Sequence, residues 1–229
     1  MTFGEKVIRF NDSLELHEHL PAGIHVMNPF KTSKYALEVS SRFYKKFYND
    51  FNNRTMMLGI NPGRFGAGAT GVPFTDTKRL EEKCGIPVKE IKTHEPSSVF
   101  MYDMINEFGG VEKFYNQFYI SSVCPLGFVK TNERGKEVNY NYYDNKELQE
   151  LVTPFIVDSI KAQIGFGINQ NVCFSLGSGQ NLKFLKKINE KYRFFEKIIP
   201  LEHPRYVMQY KLKSKKEYIE KYMDLLKNR

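Results

Sequence analysis

The 229-residue chain has three cysteines, no tryptophan, no repeat, no low-complexity tract and no apolar run of the ~18 residues a membrane span needs. Cys84, Cys124 and Cys173 are odd in number and far apart. That excludes a disulfide framework and a four-cysteine zinc or iron–sulfur site built from this chain alone. Reduced thiols, no metal and no cofactor are expected. The opening MTFGEKVIRFNDSLELHEHL lacks the basic-then-apolar order of a secretion signal. A soluble, cytoplasmic protein with no membrane partner is therefore expected. The missing tryptophan excludes nothing, since aromatics still make up 14% of the chain. With 41% hydrophobic and 26% charged residues, the chain can bury one full core, which rules out a disordered chain or a mini-protein. One domain over residues 1–229 is expected, as a monomer, with residues 1–22 at its periphery.

The charge is lopsided. Of 34 Lys and Arg and 26 Asp and Glu, residues 183–229 hold 14 and 6, which leaves 20 of each sign in residues 1–182. A segmental basic excess suits a polyanion, because neutralising phosphates releases counterions. A lysine-rich terminal helix such as KLKSKKEYIEKYMDLLKNR is equally often a plain solvated face, so chemistry has to decide.

Four short apolar runs read as strands that stop at breaker-rich loops: Thr55–Ile60, Phe118–Val123, Val172–Leu176 and Lys197–Leu201. Helical spacing fills the intervals, at Ser33–Asn49 after the Asn28-Pro29-Phe30 turn, Thr77–Cys84, Ser97–Phe108, Asn145–Ile164 with a disturbance at Pro154, Gln180–Tyr192 and Ser214–Lys227. The runs lie too far apart for hairpins. The pattern predicts an α/β fold: a three-layer α/β/α sandwich around a central four-stranded, mainly parallel sheet. Ligands bind outside the carboxyl ends of such strands, so Asn61, Ser122, Ser178 and His203 are candidate neighbours on one rim.

The loop Asn61–Phe74 contains Gly66-x-Gly68-x-x-Gly71, the spelling of a dinucleotide fingerprint. Its glycines begin well past the strand and Pro73 follows at once, so they do not open a helix and that reading is rejected. A glycine-rich loop without a chemical role is the plainer alternative. Of five histidines, His17, His19, His25 and His94 have no metal-site spacing. His203 ends a strand within the basic part of the chain. A lone histidine is more often a structural hydrogen-bonder, and Asn61 is the second residue that makes a site of it. Phe74 and Tyr206 sit in strand-end loops, where a base lifted from nucleic acid needs a flat face, although each would serve equally as core.

The run Leu58–Phe74 (LGINPGRFGAGATGVPF), with Val123-Cys124-Pro125-Leu126 and His203-Pro204-Arg205, resembles the single-strand-selective monofunctional uracil-DNA glycosylases, in their bacterial second branch. The resemblance spans about Gly23 to Lys211. The first motif is specific, whereas His-Pro-Arg is short. The absent cysteine cluster separates the chain from the superfamily's iron–sulfur branches.

The resemblance implies a monofunctional DNA glycosylase that removes uracil or a related deaminated base and leaves an abasic site in base excision repair. Asn61 positions the attacking water and His203 stabilises charge on the departing base. Gly63 leaves room for a 5-substituent and Phe74 is the stacking platform. Ile60, Pro62 and Phe65 complete the substrate wall. Arg205, Tyr206, Met208 and Lys211, in the segment that replaces the extruded nucleotide, contact DNA together with Ser178. That segment, RYVMQYK, departs from the family's usual Ser-Pro-Arg-Asn continuation. Ser122 stands where the family has an asparagine that reads the Watson–Crick edge, so xanthine and hypoxanthine become admissible beside uracil.

Asp76 is the nearest carboxylate in the sequence to assist the water, but an aspartate before Thr77 reads more simply as a helix cap. Two other classes stay open: a non-catalytic damaged-DNA-binding module on the same fold, and an enzyme acting on free nucleotides.

Overall fold

In a computed structural model describing residues 1–229, seven strands form two sheets. The strands are β1 (Ile24–Met27), β2 (Arg54–Gly59), β3 (Phe118–Ser122), β4 (Gly127–Thr131), β5 (Glu137–Tyr140), β6 (Ile168–Leu176) and β7 (Lys197–Leu201). The central sheet has the order β3-β2-β6-β7 and is parallel throughout. Every residue of β2 and β3 is buried, as expected of apolar runs covered on both faces.

The helices are α1 (Phe3–Ser13), α2 (Pro29–Thr32), α3 (Lys34–Phe47), α4 (Ala67–Thr70), α5 (Thr77–Glu82), α6 (Pro96–Phe108), α7 (Val111–Tyr115), α8 (Lys146–Ile164), α9 (Gln180–Tyr192), α10 (Pro204–Tyr210) and α11 (Lys215–Lys227). They flank the parallel sheet, and 51 buried residues form the main hydrophobic cluster. No helix is long and apolar enough to cross a membrane.

Strand register brings the site together. Gly59 is level with Ser122, Leu58 with Ser175 and Leu176 with Leu201, so the four carboxyl ends share one edge. Asn61 follows the end of β2 by two residues, and His203 follows the end of β7 by the same number. Two side chains 142 positions apart therefore leave the same rim.

Two expectations need correction. The amino terminus is not peripheral over α1: Phe3 and Val7 belong to the main core, the Phe3 and Gly4 amides bond to the Asp50 and Tyr48 carbonyls, and Thr2 and Glu5 close a capping box. The helix of residues 146–164 is not interrupted at Pro154. Its ring lies on an exposed face, where solvent serves the carbonyl left without a partner. The central four-stranded parallel sheet is as expected, and a separate antiparallel sheet, β1-β4-β5, accompanies it.

Beneath the opposite end of β2, the fully buried Arg54 donates to both Asp50 oxygens at 2.8 Å and to the Tyr115 carbonyl at 2.7 Å. Its guanidinium lies 4.7 Å from the Phe3 ring centroid and 4.6 Å from that of Tyr48. The cation ties α1, the start of β2 and the end of α7 together.

Candidate active site

Pairing with the chain after β3 continues past Gly59, since Val123 and Cys124 donate to the Gly59 and Ile60 carbonyls at 2.9 and 3.1 Å. The backbone leading into Asn61 is thereby fixed. The Asn61 amide is then gripped by the end of the hairpin formed by β4 and β5: Nδ2 donates to the Tyr140 carbonyl at 3.2 Å and Oδ1 accepts from the Tyr142 amide at 3.2 Å. This pair sets the orientation of the carboxamide and leaves one Oδ1 lone pair free.

The loop after Asn61 folds back through α4, where Thr70 Oγ1 donates to the Thr75 carbonyl at 2.8 Å. Phe74 ends the turn in the left-handed region at φ 52°, a conformation that costs a side-chain-bearing residue energy. Its ring lies so close to the end of β2 that a Cβ on Gly59 would stand 2.9 Å from Cε2. Glycine at position 59 is therefore what lets the ring lie across the strand ends.

His203 opens α10, and its Nδ1 accepts from the Arg205 amide at 3.1 Å. A nitrogen that accepts carries no proton, so the neutral ring carries its hydrogen on Nε2. Burial, with the Arg205 charge second, lowers the His203 pKa to about 4. At neutral pH the side chain is an uncharged donor with a fixed tautomer. The His203 and Phe74 ring centroids are 5.6 Å apart.

These groups border one cavity of about 300 Å³, at the lower end of the range for small-ligand sites. Of the residues expected from the sequence, Ile60, Asn61, Pro62, Gly63, Phe74, Ser122 and His203 line its inner wall, and Arg205 and Tyr206 line its mouth. Ser122 is buried, and its hydroxyl makes no hydrogen bond within the protein. Phe65 is a correction. It is 57% exposed with the Arg64 guanidinium over its ring, and together with Met208 it borders an adjoining chamber instead. Lys211 and Ser178 are exposed outside the cavity, Ser178 on the loop whose Gly177 lies against His203.

Sequence reasoning missed Glu95, Asn139 and Asn141 on the wall, whereas Gln209 and Tyr210 at the mouth lie within the expected RYVMQYK segment. Asn139 and Asn141 come from the small antiparallel sheet and its exit, which no apolar pattern announced. Glu95 precedes Pro96 at the start of α6 but does not cap that helix with its side chain. Its Oε2 is buried without a partner, and burial, with Asp76 second, raises its pKa to about 7. Asp76 itself is fully buried and caps α5. It accepts from the Arg79 amide at 2.9 Å, the Glu95 amide at 2.9 Å and the Arg79 side chain at 3.2 Å. Its oxygens are committed to the protein. No three His, Cys, Asp or Glu side chains gather as a metal site.

The model of the uracil DNA glycosylase superfamily matches residues 45–227. The single-strand selective monofunctional uracil DNA glycosylase of Bos taurus is 30% identical over 142 residues, a match covering 54% of this chain and about half, 50%, of the bovine protein. The crystal structure of SMUG2 from Pedobacter heparinus is 54% identical, superposes with a TM-score of 0.97, and covers 100% of this chain and 98% of its own. The strand-end cavity thus sits inside a family match that spans most of the sequence, and the chain belongs to the uracil DNA glycosylase superfamily.

Proposed function

We propose that this protein hydrolyses the N-glycosidic bond between deoxyribose and a deaminated base turned out of DNA, leaving an abasic site. The observation that carries the reading is the placement of a neutral histidine donor and an orientation-locked asparagine on one base-sized cavity.

Cleavage of that bond leaves positive charge on the sugar and negative charge on the base. A donor fixed where the anion develops lowers the barrier without waiting for a proton. His203 Nε2–H is such a donor, and by analogy with an oxyanion-hole group it supplies about 3–4 kcal/mol. Asn61 holds the attacking water with the Oδ1 lone pair that the Tyr142 amide leaves free. A carboxamide cannot take a proton, so the water is oriented rather than deprotonated and departure of the base precedes attack. Phe74 offers the stacking face, and Gly63 leaves room beside the base for a 5-substituent.

Ser122 offers a single hydroxyl to the base, which discriminates less strictly than a carboxamide and supports acceptance of uracil, xanthine and hypoxanthine. No lysine lines the cavity, in keeping with a monofunctional enzyme that forms no Schiff base. Arg205 and Tyr206 at the mouth, with the basic residues of 183–229, hold the DNA backbone and fill the gap left by the base. The protein acts as a monomer.

The test uses a uracil-bearing oligonucleotide and scores alkali-labile abasic product. Wild type should give product and Asn61→Ala should lose nearly all of it. Equal traces from the two would remove Asn61 from the reaction, and no product from wild type on any deaminated base would favour a non-catalytic binding module.

A further inference from the structure

Of the two contacts that hold the Asn61 carboxamide, the one on Oδ1 bears directly on the attacking water, and it comes from a residue outside regular structure. Tyr140 stands opposite Phe128 in the ladder of β4 and β5, so strand pairing fixes its carbonyl. Tyr142 lies two residues past the end of β5, where no ladder places its amide. Its side chain does so instead. The ring is fully buried, with the Tyr143 and Phe184 ring centroids each 5.0 Å away. The hydroxyl donates to Asn181 Oδ1 at 2.8 Å, and Asn181 Nδ2 donates in turn to the Gly59 carbonyl at 3.3 Å. Asn181, in the first turn of α9, is buried as well. These contacts close a circuit: Gly59 leads along the chain to Asn61, Asn61 meets Tyr142, Tyr142 meets Asn181, and Asn181 returns to Gly59. Phenylalanine at 142 and leucine at 181 would fill nearly the same space with no polar group to desolvate. A polar pair kept in such a place points to a use beyond folding.

We propose that Tyr142 and Asn181 are positioning residues for the reaction: they pin the Tyr142 amide to the end of β2, and thereby fix where Asn61 Oδ1 presents its free lone pair to the attacking water. The inference rests on the reading of Asn61 as the residue that holds the water. It adds that Asn61 is aimed by a side-chain tether reaching back to α9, and not by the hairpin alone. Neither Tyr142 nor Asn181 lines the cavity, so each acts through Asn61 and not on the substrate. The Tyr142 amide occupies one Oδ1 lone pair, so a shift of that amide turns the other. Moving the water about 1 Å off its line of attack lowers the rate by up to about a hundredfold. The hold on DNA uses other groups and is left alone.

The test measures single-turnover excision from a uracil oligonucleotide with enzyme in excess, followed to long times, beside DNA affinity by anisotropy. Tyr142→Phe should lower the rate about ten- to a hundredfold and leave affinity within about twofold of wild type. The loss should vanish when Tyr142→Phe is made in Asn61→Ala and persist in full in His203→Ala, because it acts through Asn61 alone. Tyr142→Phe also strands a buried oxygen on Asn181, and the double variant Tyr142→Phe/Asn181→Leu separates the two effects. With both partners apolar, its urea midpoint should return close to wild type while its rate stays low. Three results overturn the proposal: an equal loss in the Asn61→Ala background, a rate that recovers together with stability in the double variant, or a Tyr142→Phe rate within about threefold of wild type. Where Tyr142→Phe alone does not fold, the double variant gives the same comparison in both backgrounds. Asn61→Ala as active as wild type would remove the role of Asn61 and the tether with it, whereas wild type inactive on uracil, xanthine and hypoxanthine would sink the glycosylase reading itself.

Discussion

Replacing His203 by alanine isolates the electrostatic step. The Arg205 amide holds Nδ1 as an acceptor at 3.1 Å, so the only hydrogen the neutral ring can offer the departing base is on Nε2. Removal of one such preorganised donor costs about 3–4 kcal/mol, a hundred- to a thousandfold in rate. The loss should appear in single-turnover excision from a uracil oligonucleotide with enzyme in excess. DNA affinity, measured by anisotropy under the same salt, should change by less than about threefold, because the contact matures only as charge develops. His203→Gln, which keeps an amide donor, should recover part of the rate.

The pH dependence has a definite sign. With its pKa lowered to about 4, His203 keeps the uncharged form above that value, so the ratio of wild-type to His203→Ala rates should be flat from about pH 5.5 to 8.5. A ratio that grows as pH falls through about 6.5 would mean that the imidazolium is the active form. Either that result or a loss smaller than about tenfold would refute the neutral-donor argument.

Glu95→Gln should raise the melting temperature at pH 8 and do little at pH 5. The folded pKa of about 7 lies above the ordinary 4.5, so the folded state holds the extra proton and the associated stability is lost as pH rises from 4.5 through 7. That loss is at most about 3 kcal/mol, and an equal effect at both pH values would contradict it. Neutralising Lys211, Lys213 and Lys216 together should weaken DNA binding and flatten the plot of log affinity against log salt by about 0.7–0.9 per phosphate contact removed. Lys215 is left out because Asp103 already pairs with it at 2.8 Å, and an unchanged slope would detach the basic tail from DNA. Arg54→Ala should cost about 3–5 kcal/mol in urea unfolding, since it opens a hole and leaves Asp50 without its cation. A cost below about 1 kcal/mol would show that the buried pair and its two aromatic neighbours add little.

The two halves of the site differ in how plainly the sequence displays them. Asn61 and His203 stand just past apolar runs whose hydrophobicity comes from burial on both faces, so the parallel sheet and its shared edge follow from composition alone. Ser122 follows for the same reason, whereas Phe74, at the far end of the Asn61 loop, is legible only through the family resemblance. The opposing wall obeys another rule. Strand β5 (Glu137–Tyr140) is largely exposed and polar, β1 and β4 bury only part of their length, and the sheet they form exists because of pairing between distant segments. No local pattern encodes such pairing. Its consequence is nonetheless central, because the Tyr140 carbonyl and the Tyr142 amide are what orient the Asn61 carboxamide, and Asn139 stands beside them.

Glu95 was hidden for a different reason. A glutamate ahead of a proline at the start of a helix resembles any polar turn residue. Its burial is decided by Gly66, 29 positions earlier in the chain, whose lack of a side chain makes the space that the carboxyl fills. The glycines of the Asn61 loop, rejected as a dinucleotide fingerprint, thus have a physical use after all. They let the loop lie close enough to Glu95 and Met27 for the wall of the cavity to carry polar groups where bulkier residues would have closed it. An isolated Gly66→Ala change should therefore displace the Glu95 carboxyl and alter which bases are excised before it alters whether any are.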